Sequence, residues 1–196
     1  MRQSERVFAL LAEAGLLLTQ DKALPNVVST VTGETPRGSW WSHPQGREVF
    51  AILSELTHHE DVLLTKLLFG KDTFVHRRLW PALLAVGSSQ EPWQLNGLSV
   101  GARRLREKVE HSRTPVRATG TVAKSLLLRL LAVGCQVHTE SGAHAMELES
   151  WRAWSVRTGC RSASSAAAGR RKLGDAVKRL GGTPDALPWT PKRRED

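Results

Sequence analysis

The sequence predicts an α+β fold, in which helices pack with two β-hairpins. Three observations point there. Amphipathic stretches with apolar residues three and four apart recur along the chain. Two pairs of short apolar runs flank glycine-containing turns, at residues 62–79 and 135–149. The composition of 196 residues, 40% hydrophobic and 24% charged, is that of a globular protein with a sizeable core.

Taken in order, residues 6–18 carry apolar side chains at 7, 8, 10, 11 and 14–18 and read as a helix, with Gly15 weakening its end. Pro25, Gly33, Pro36 and Gly38 then break the chain, and Val27-Val28-Ser29-Thr30-Val31 reads as a strand. Ser42 or His43 is suited to cap a helix with Pro44 in its first turn, running to about Thr57. Strands at 62–69 and 73–79 join around Gly70-Lys71-Asp72. Pro81 opens a short apolar helix that Gly87 closes, and residues 88–98 form a connection. Ser99 caps a helix over 100–110, with Arg103, Arg104, Arg106 and Lys108 on its polar side. A brief extended piece at 116–118 precedes a helix over 121–133 closed by Gly134. A second hairpin at 135–140 and 144–149 turns at Ser141-Gly142. Helices follow at 151–157 and 172–180, and Lys192-Arg193-Arg194-Glu195-Asp196 is expected to be disordered.

The expected organisation is a helix and hairpin subdomain at 1–95, a second at 96–158 that forms one compact unit with the first, and a basic helical tail at 159–196. Each half holds a helix, a hairpin and a short helix containing Trp, without a residue-level repeat. The net charge of +9 is uneven. Residues 1–150 carry 17 Lys/Arg against 15 Asp/Glu, whereas residues 151–196 carry 11 against 4. A basic end on a near-neutral body suggests an anionic partner. Cys135 and Cys160 form no CxxC pair and read as reduced thiols. The apolar stretch at 7–18 is too short to cross about 30 Å of hydrocarbon, and the start lacks a signal-peptide pattern. Cytoplasm is the expected location.

Residues 99–149 resemble the latter part of winged-helix DNA-binding domains. Leu126, Leu127, Leu130, Leu131, Gly134, Val137, the Ser141-Gly142 turn, Met146 and Leu148 carry the likeness. That family places two helices between its first strand and its β-wing, the second lying in the major groove while the wing touches phosphates. The resemblance implies that Lys124, Ser125 and Arg129 face the groove, with His138, Thr139 and His144 on the wing. The stretch Ser39-Trp40-Trp41-Ser42-His43-Pro44-Gln45-Gly46 is similar to an SWWxHPxG segment in uncharacterised bacterial proteins, which implies no activity.

Seven Trp and no Tyr make a skewed aromatic set. Trp40-Trp41 beside Arg37 and Arg47, and Trp80 after His76-Arg77-Arg78, combine flat apolar faces with cations, which suits base stacking or cation–π packing. His58-His59-Glu60-Asp61, with His43, Glu48 and His76, is the densest titratable cluster. It lacks the HxxxH or HExxH spacing of a metal site. Asp61 and Lys66 lack the second carboxylate of a nuclease strand, and Gly70-Lys71 lacks the rest of a phosphate loop. Ser39, Ser42 and Cys160 have no nucleophile elbow.

The sequence therefore points to a non-catalytic nucleic-acid-binding protein, for DNA, without cofactor or metal. The expected phosphate contacts are Arg77, Arg78, Lys124, Arg129, Arg170, Arg171, Lys172, Lys178 and Arg179. Its rivals are a metal-dependent hydrolase or nuclease using His58, Asp61, His43 or Glu48, and a protein-interaction module using exposed Trp.

Overall fold

The structure, a computed structural model, describes residues 2–35, 38–138, 144–162 and 165–190. It is α+β. In chain order the elements are α1 (Gln3–Ala14), β1 (Leu16–Leu18), α2 (Val27–Thr32), α3 (Gly46–His58), β2 (Val62–Lys66), β3 (Asp72–His76), α4 (Trp80–Gly87), α5 (Pro92–Leu95), α6 (Val100–His111), β4 (Val116–Ala118), α7 (Gly120–Leu128), β5 (Val133–His138), β6 (His144–Glu149), α8 (Trp151–Thr158) and α9 (Ala166–Arg179). The chain divides into two compact units, Met1–Trp80 with Lys172–Asp196, and Pro81–Arg171. Among the described residues no helix is long and apolar enough to cross a membrane.

In the first unit, the helix expected over 6–18 stops at Ala14. Gly15 takes φ +86° and its N–H returns to Leu11 O at 2.7 Å, a left-handed cap that glycine adopts without strain. The released residues Leu16–Leu18 become β1 and pair antiparallel with β3, Leu16 opposite Val75. The expected strand at 27–31 is α2 instead. Asn26 Oδ1 accepts the Ser29 N–H at 2.9 Å, and Gly33 closes the helix at φ +77°. Val27, Val28 and Val31 are all buried, the spacing of one helix face. Cap chemistry and burial here outweigh the β preference of valine.

The strands order as β1-β3-β2, and both strands of the hairpin are shorter than expected. Val7 and Leu11 of α1, Leu17, the three valines of α2, Val49, Ile52 and Leu56 of α3, Val62 and Phe74 form one core. The segment from Lys172 is no loose tail: Leu173, Ala176, Val177 and Leu180 are buried at i, i+3, i+4 and i+7. Residues 191–196 lie outside the described residues.

The second unit repeats the sheet order as β4-β6-β5. Ser99 Oγ caps α6 by accepting the Ala102 N–H at 3.1 Å, as expected. The helix expected to reach residue 133 ends at Leu128. Leu130 turns the chain at φ +50°, and Gly134 is no cap but a member of β5. A Cβ on Gly134 would lie 2.8 Å from both Leu127 and Leu148, so the strand crosses the helix where only hydrogen fits. Gln94, fully buried, pins this turn: its Nε2 donates to Gly87 O, Arg129 O and Leu130 O at 3.1–3.3 Å. Trp151 Nε1 adds a bond to Leu130 O at 2.7 Å. Leu98, Ala102, Val109, Val116, Ala123, Leu126, Leu127, Leu131, Ala132 and Leu148 make the second core. The β5–β6 hairpin pairs from Val133 with Glu149 to His138 with His144. The Ser141-Gly142 turn and Thr139 lie outside the described residues.

Candidate nucleic-acid interface

The two units differ sharply in charge. Residues 81–171 carry thirteen Lys/Arg against six Asp/Glu, a net +7 of the chain's +9, while residues 1–80 carry nine of each sign. The excess noted at the carboxyl end of the sequence thus belongs mostly to the second unit, since Arg152, Arg157, Arg161, Arg170 and Arg171 fall inside it.

Folding divides the nine expected contacts into two sets. Arg77 is paired with Asp61 at 2.7 Å. Arg78 donates to Glu13 O at the carboxyl end of α1. Arg129 spends Nη1 on three carbonyls, Trp93 O, Gln94 O and Asn96 O, at 3.0, 3.2 and 2.7 Å. Arg170 is ion-paired with Glu91. These four are engaged with other groups of the chain. Lys124, Arg171, Lys172 and Arg179 are exposed, and none takes part in the ion pairs among the described residues. Lys178 is also exposed, 3.5 Å from Asp175.

Further exposed cations outside the expected set lie on and just after α6. Arg103, Arg104 and Lys108 are exposed, as is Arg113 just after the helix. The ion pairs among the described residues of this unit join Arg117 to Glu147, Arg157 to Glu149 and Arg170 to Glu91, so none of these four is neutralised by contact. Glu107 and Glu110 share the helix. Arg106 is half-buried, with Nε lacking a hydrogen-bond partner. A Cβ on Gly101 would lie 3.5 Å from Val122, so the first turns of α6 and α7 meet. Thr119 makes no side-chain cap on α7, and the first-turn N–H groups keep their partial positive charge for an outside acceptor. Amphipathic spacing placed α6 correctly in the sequence. What was missing was the knowledge of which arginines find carboxylates.

The aromatic residues also divide. Trp80, Trp151 and Trp154 are buried, and Trp80 Nε1 donates to Val75 O at 3.1 Å, so the Trp80 cluster is core. Trp40 and Trp41 stack at 4.1 Å between centroids, Phe50 lies 5.4 Å from Trp41, and Trp41 and Phe50 are 63% and 53% exposed. Gly46 lets α3 start against this turn, since a Cβ there would lie 3.1 Å from the Trp40 and Trp41 carbonyl oxygens. Arg47 beside it is exposed; Arg37 lies outside the described residues.

The residues of the hydrolase alternative do not converge. His58 Nδ1 contacts Ser54 O at 2.8 Å, His43 Nε2 contacts Glu34 Oε1 at 2.9 Å, and Asp61 is held by Arg77. Among the described residues no group of three His, Cys, Asp or Glu could hold a metal ion. His59 stacks on Phe8 at 4.3 Å beside a cleft of about 160 Å³ lined by Ser4, Glu5, Phe8, Glu55, Leu56 and His59, smaller than the roughly 300–1,000 Å³ of small-molecule sites. Desolvation, then Glu147 and Glu149, push the Cys135 thiol up, away from a nucleophilic thiolate.

Comparison with protein-family models, curated proteins and solved structures finds no match to the chain.

Proposed function

We propose that the protein binds DNA without catalysing a reaction on it, with the second unit neutralising phosphates. The observation that carries this reading is the net +7 of residues 81–171 together with exposed Arg103, Arg104, Lys108 and Lys124 on α6 and α7, which join no ion pair among the described residues. Such charges displace counterions from a duplex. The uncapped start of α7 adds main-chain donors of the kind that position phosphates. Arg171, in the same unit, is exposed as well.

The winged-helix likeness of residues 99–149 is supported by the order helix, strand, helix, hairpin and by the sheet order β4-β6-β5. The first unit has a related order of elements. Both α2 and α3 stand between β1 and the β2–β3 hairpin, with sheet order β1-β3-β2. In this reading the chain is a tandem of two related modules, the second lacking one helix.

Lysine acetylation with and without a duplex oligonucleotide, read by mass spectrometry, tests the assignment. Lys108 and Lys124 are expected to be protected by the duplex. Equal modification in both conditions overturns it.

A second reading, a protein partner docked on Trp41 and Phe50, is favoured by their exposure. It differs in being nearly insensitive to salt, because no phosphate charge is neutralised.

A further inference from the structure

One face of α3 belongs to the core of the first unit, through Val49, Ile52 and Leu56. At about 3.6 residues per turn, the opposite face carries Arg47, Ala51 and Ser54 along its middle. Phe50 lies on one flank of that line, and Glu48 and Glu55 lie on the other. Arg47, Glu48, Phe50, Ala51 and Glu55 are all exposed. Phe50 is the outer end of an aromatic series. Trp40 packs against the core, Trp41 stacks on Trp40, and Phe50 lies against Trp41. Apolar side chains held in the open as a patch mark an interaction site. Because the rings already support one another, little freedom is lost on docking.

The charges beside the patch indicate its partner. Arg47, Glu48 and Glu55 join no ion pair among the described residues of the first unit. Two carboxylates against one guanidinium repel a phosphate backbone or an anionic lipid surface. They match a second copy of the same face. Ala51 is small and exposed, so two α3 helices can approach closely there. Arg47 stands four residues before Ala51, and Glu55 stands four after it. Antiparallel pairing about a two-fold axis at Ala51 brings each Arg47 level with Glu55 of the partner subunit. The guanidinium then lies between that carboxylate and Glu48 of its own chain. On the other flank the two Phe50 rings meet beside Trp41.

We infer that the protein forms a symmetric dimer through the outer face of α3. This makes the chain itself the protein partner of Trp41 and Phe50, and it holds whether or not the protein binds DNA.

Sedimentation velocity of the full chain over a range of concentrations tests the dimer, with thermal denaturation as the check on folding. The wild type is expected to sediment as a monomer–dimer equilibrium. Phe50→Asp raises the dimer dissociation constant about thirtyfold and leaves Tm nearly unchanged, since the ring is exposed. Arg47→Glu and Glu55→Arg each raise it about tenfold, because each sets like charges against one another. The double variant Arg47→Glu/Glu55→Arg restores opposite charges and returns to within about threefold of wild type. A wild type that dimerises yet ignores oligonucleotides supports the dimer while overturning the DNA-binding reading. A wild type that stays monomeric at every concentration overturns the dimer. So does a Phe50→Asp variant that associates like wild type, or a double variant no tighter than either single one. A monomeric wild type whose duplex binding falls in Phe50→Asp would assign the face to DNA, and the proposal fails there too.

Discussion

Replacing Arg103, Arg104, Lys108 and Lys124 together by alanine is expected to weaken duplex binding by roughly a hundred- to a thousandfold in about 0.1 M salt, with little change in Tm. Each of these side chains is exposed and none belongs to an ion pair among the described residues, so the fold loses little when they go. Each phosphate contact that disappears should lower the slope of log K against log salt by about one unit. The contrast lies with Arg129. Arg129→Ala removes a clamp on the carbonyls of Trp93, Gln94 and Asn96 and should destabilise the protein while leaving the salt slope intact. If the fourfold variant binds like wild type while Arg129→Ala loses its slope, the assignment of the two sets is reversed.

Gln94→Leu is expected to cost about 2–4 kcal/mol and to lower Tm by roughly 5–15 °C in thermal denaturation. The side chain is fully buried, and its amide satisfies both ends of a local network. Nε2 serves the carbonyls of Gly87, Arg129 and Leu130, while Oε1 accepts the Glu91 N–H and the Ser89 hydroxyl, both at 3.0 Å. Leucine has similar volume but offers none of these bonds, so buried carbonyls lose their donor. Leu130 O retains Trp151, which limits the loss. Because the Leu130 turn ends α7, the variant should also weaken DNA binding without altering its salt slope. A Tm within a degree of wild type would mean that the network contributes little.

Much of the fold was legible in local signals. Ser99 as cap of α6, the extended piece that became β4, both hairpins and the short helix after each could be read from spacing and turn chemistry. The failures share a cause, which is that tertiary contacts chose between two local options. Val27-Val28-Ser29-Thr30-Val31 has four β-branched residues in five, but Asn26 and Gly33 cap it as a helix and three valines face one core. Reading it as a strand concealed that two helices, α2 and α3, stand between β1 and the first hairpin. The leucine run after Ser125 gives no stop signal; the turn at Leu130 is set by Gln94, 36 residues earlier in the chain. The site was legible only as total charge. Arg77, Arg129 and Arg170 look like Lys124 and Arg171 in sequence, and only their carboxylate or carbonyl partners separate structural cations from free ones. The apolar spacing of Leu173, Ala176, Val177 and Leu180 was present in the sequence too, masked by the attention that its basic neighbours draw.

The central claim is that positive charge unspent by folding meets phosphate. It is tested most directly by duplex affinity of the unaltered protein across a series of salt concentrations. Steep linear loss, with a log–log slope of about −3 or steeper, is predicted from four or more phosphate contacts. Affinity that stays constant as salt rises, or no association even in dilute buffer, contradicts the account.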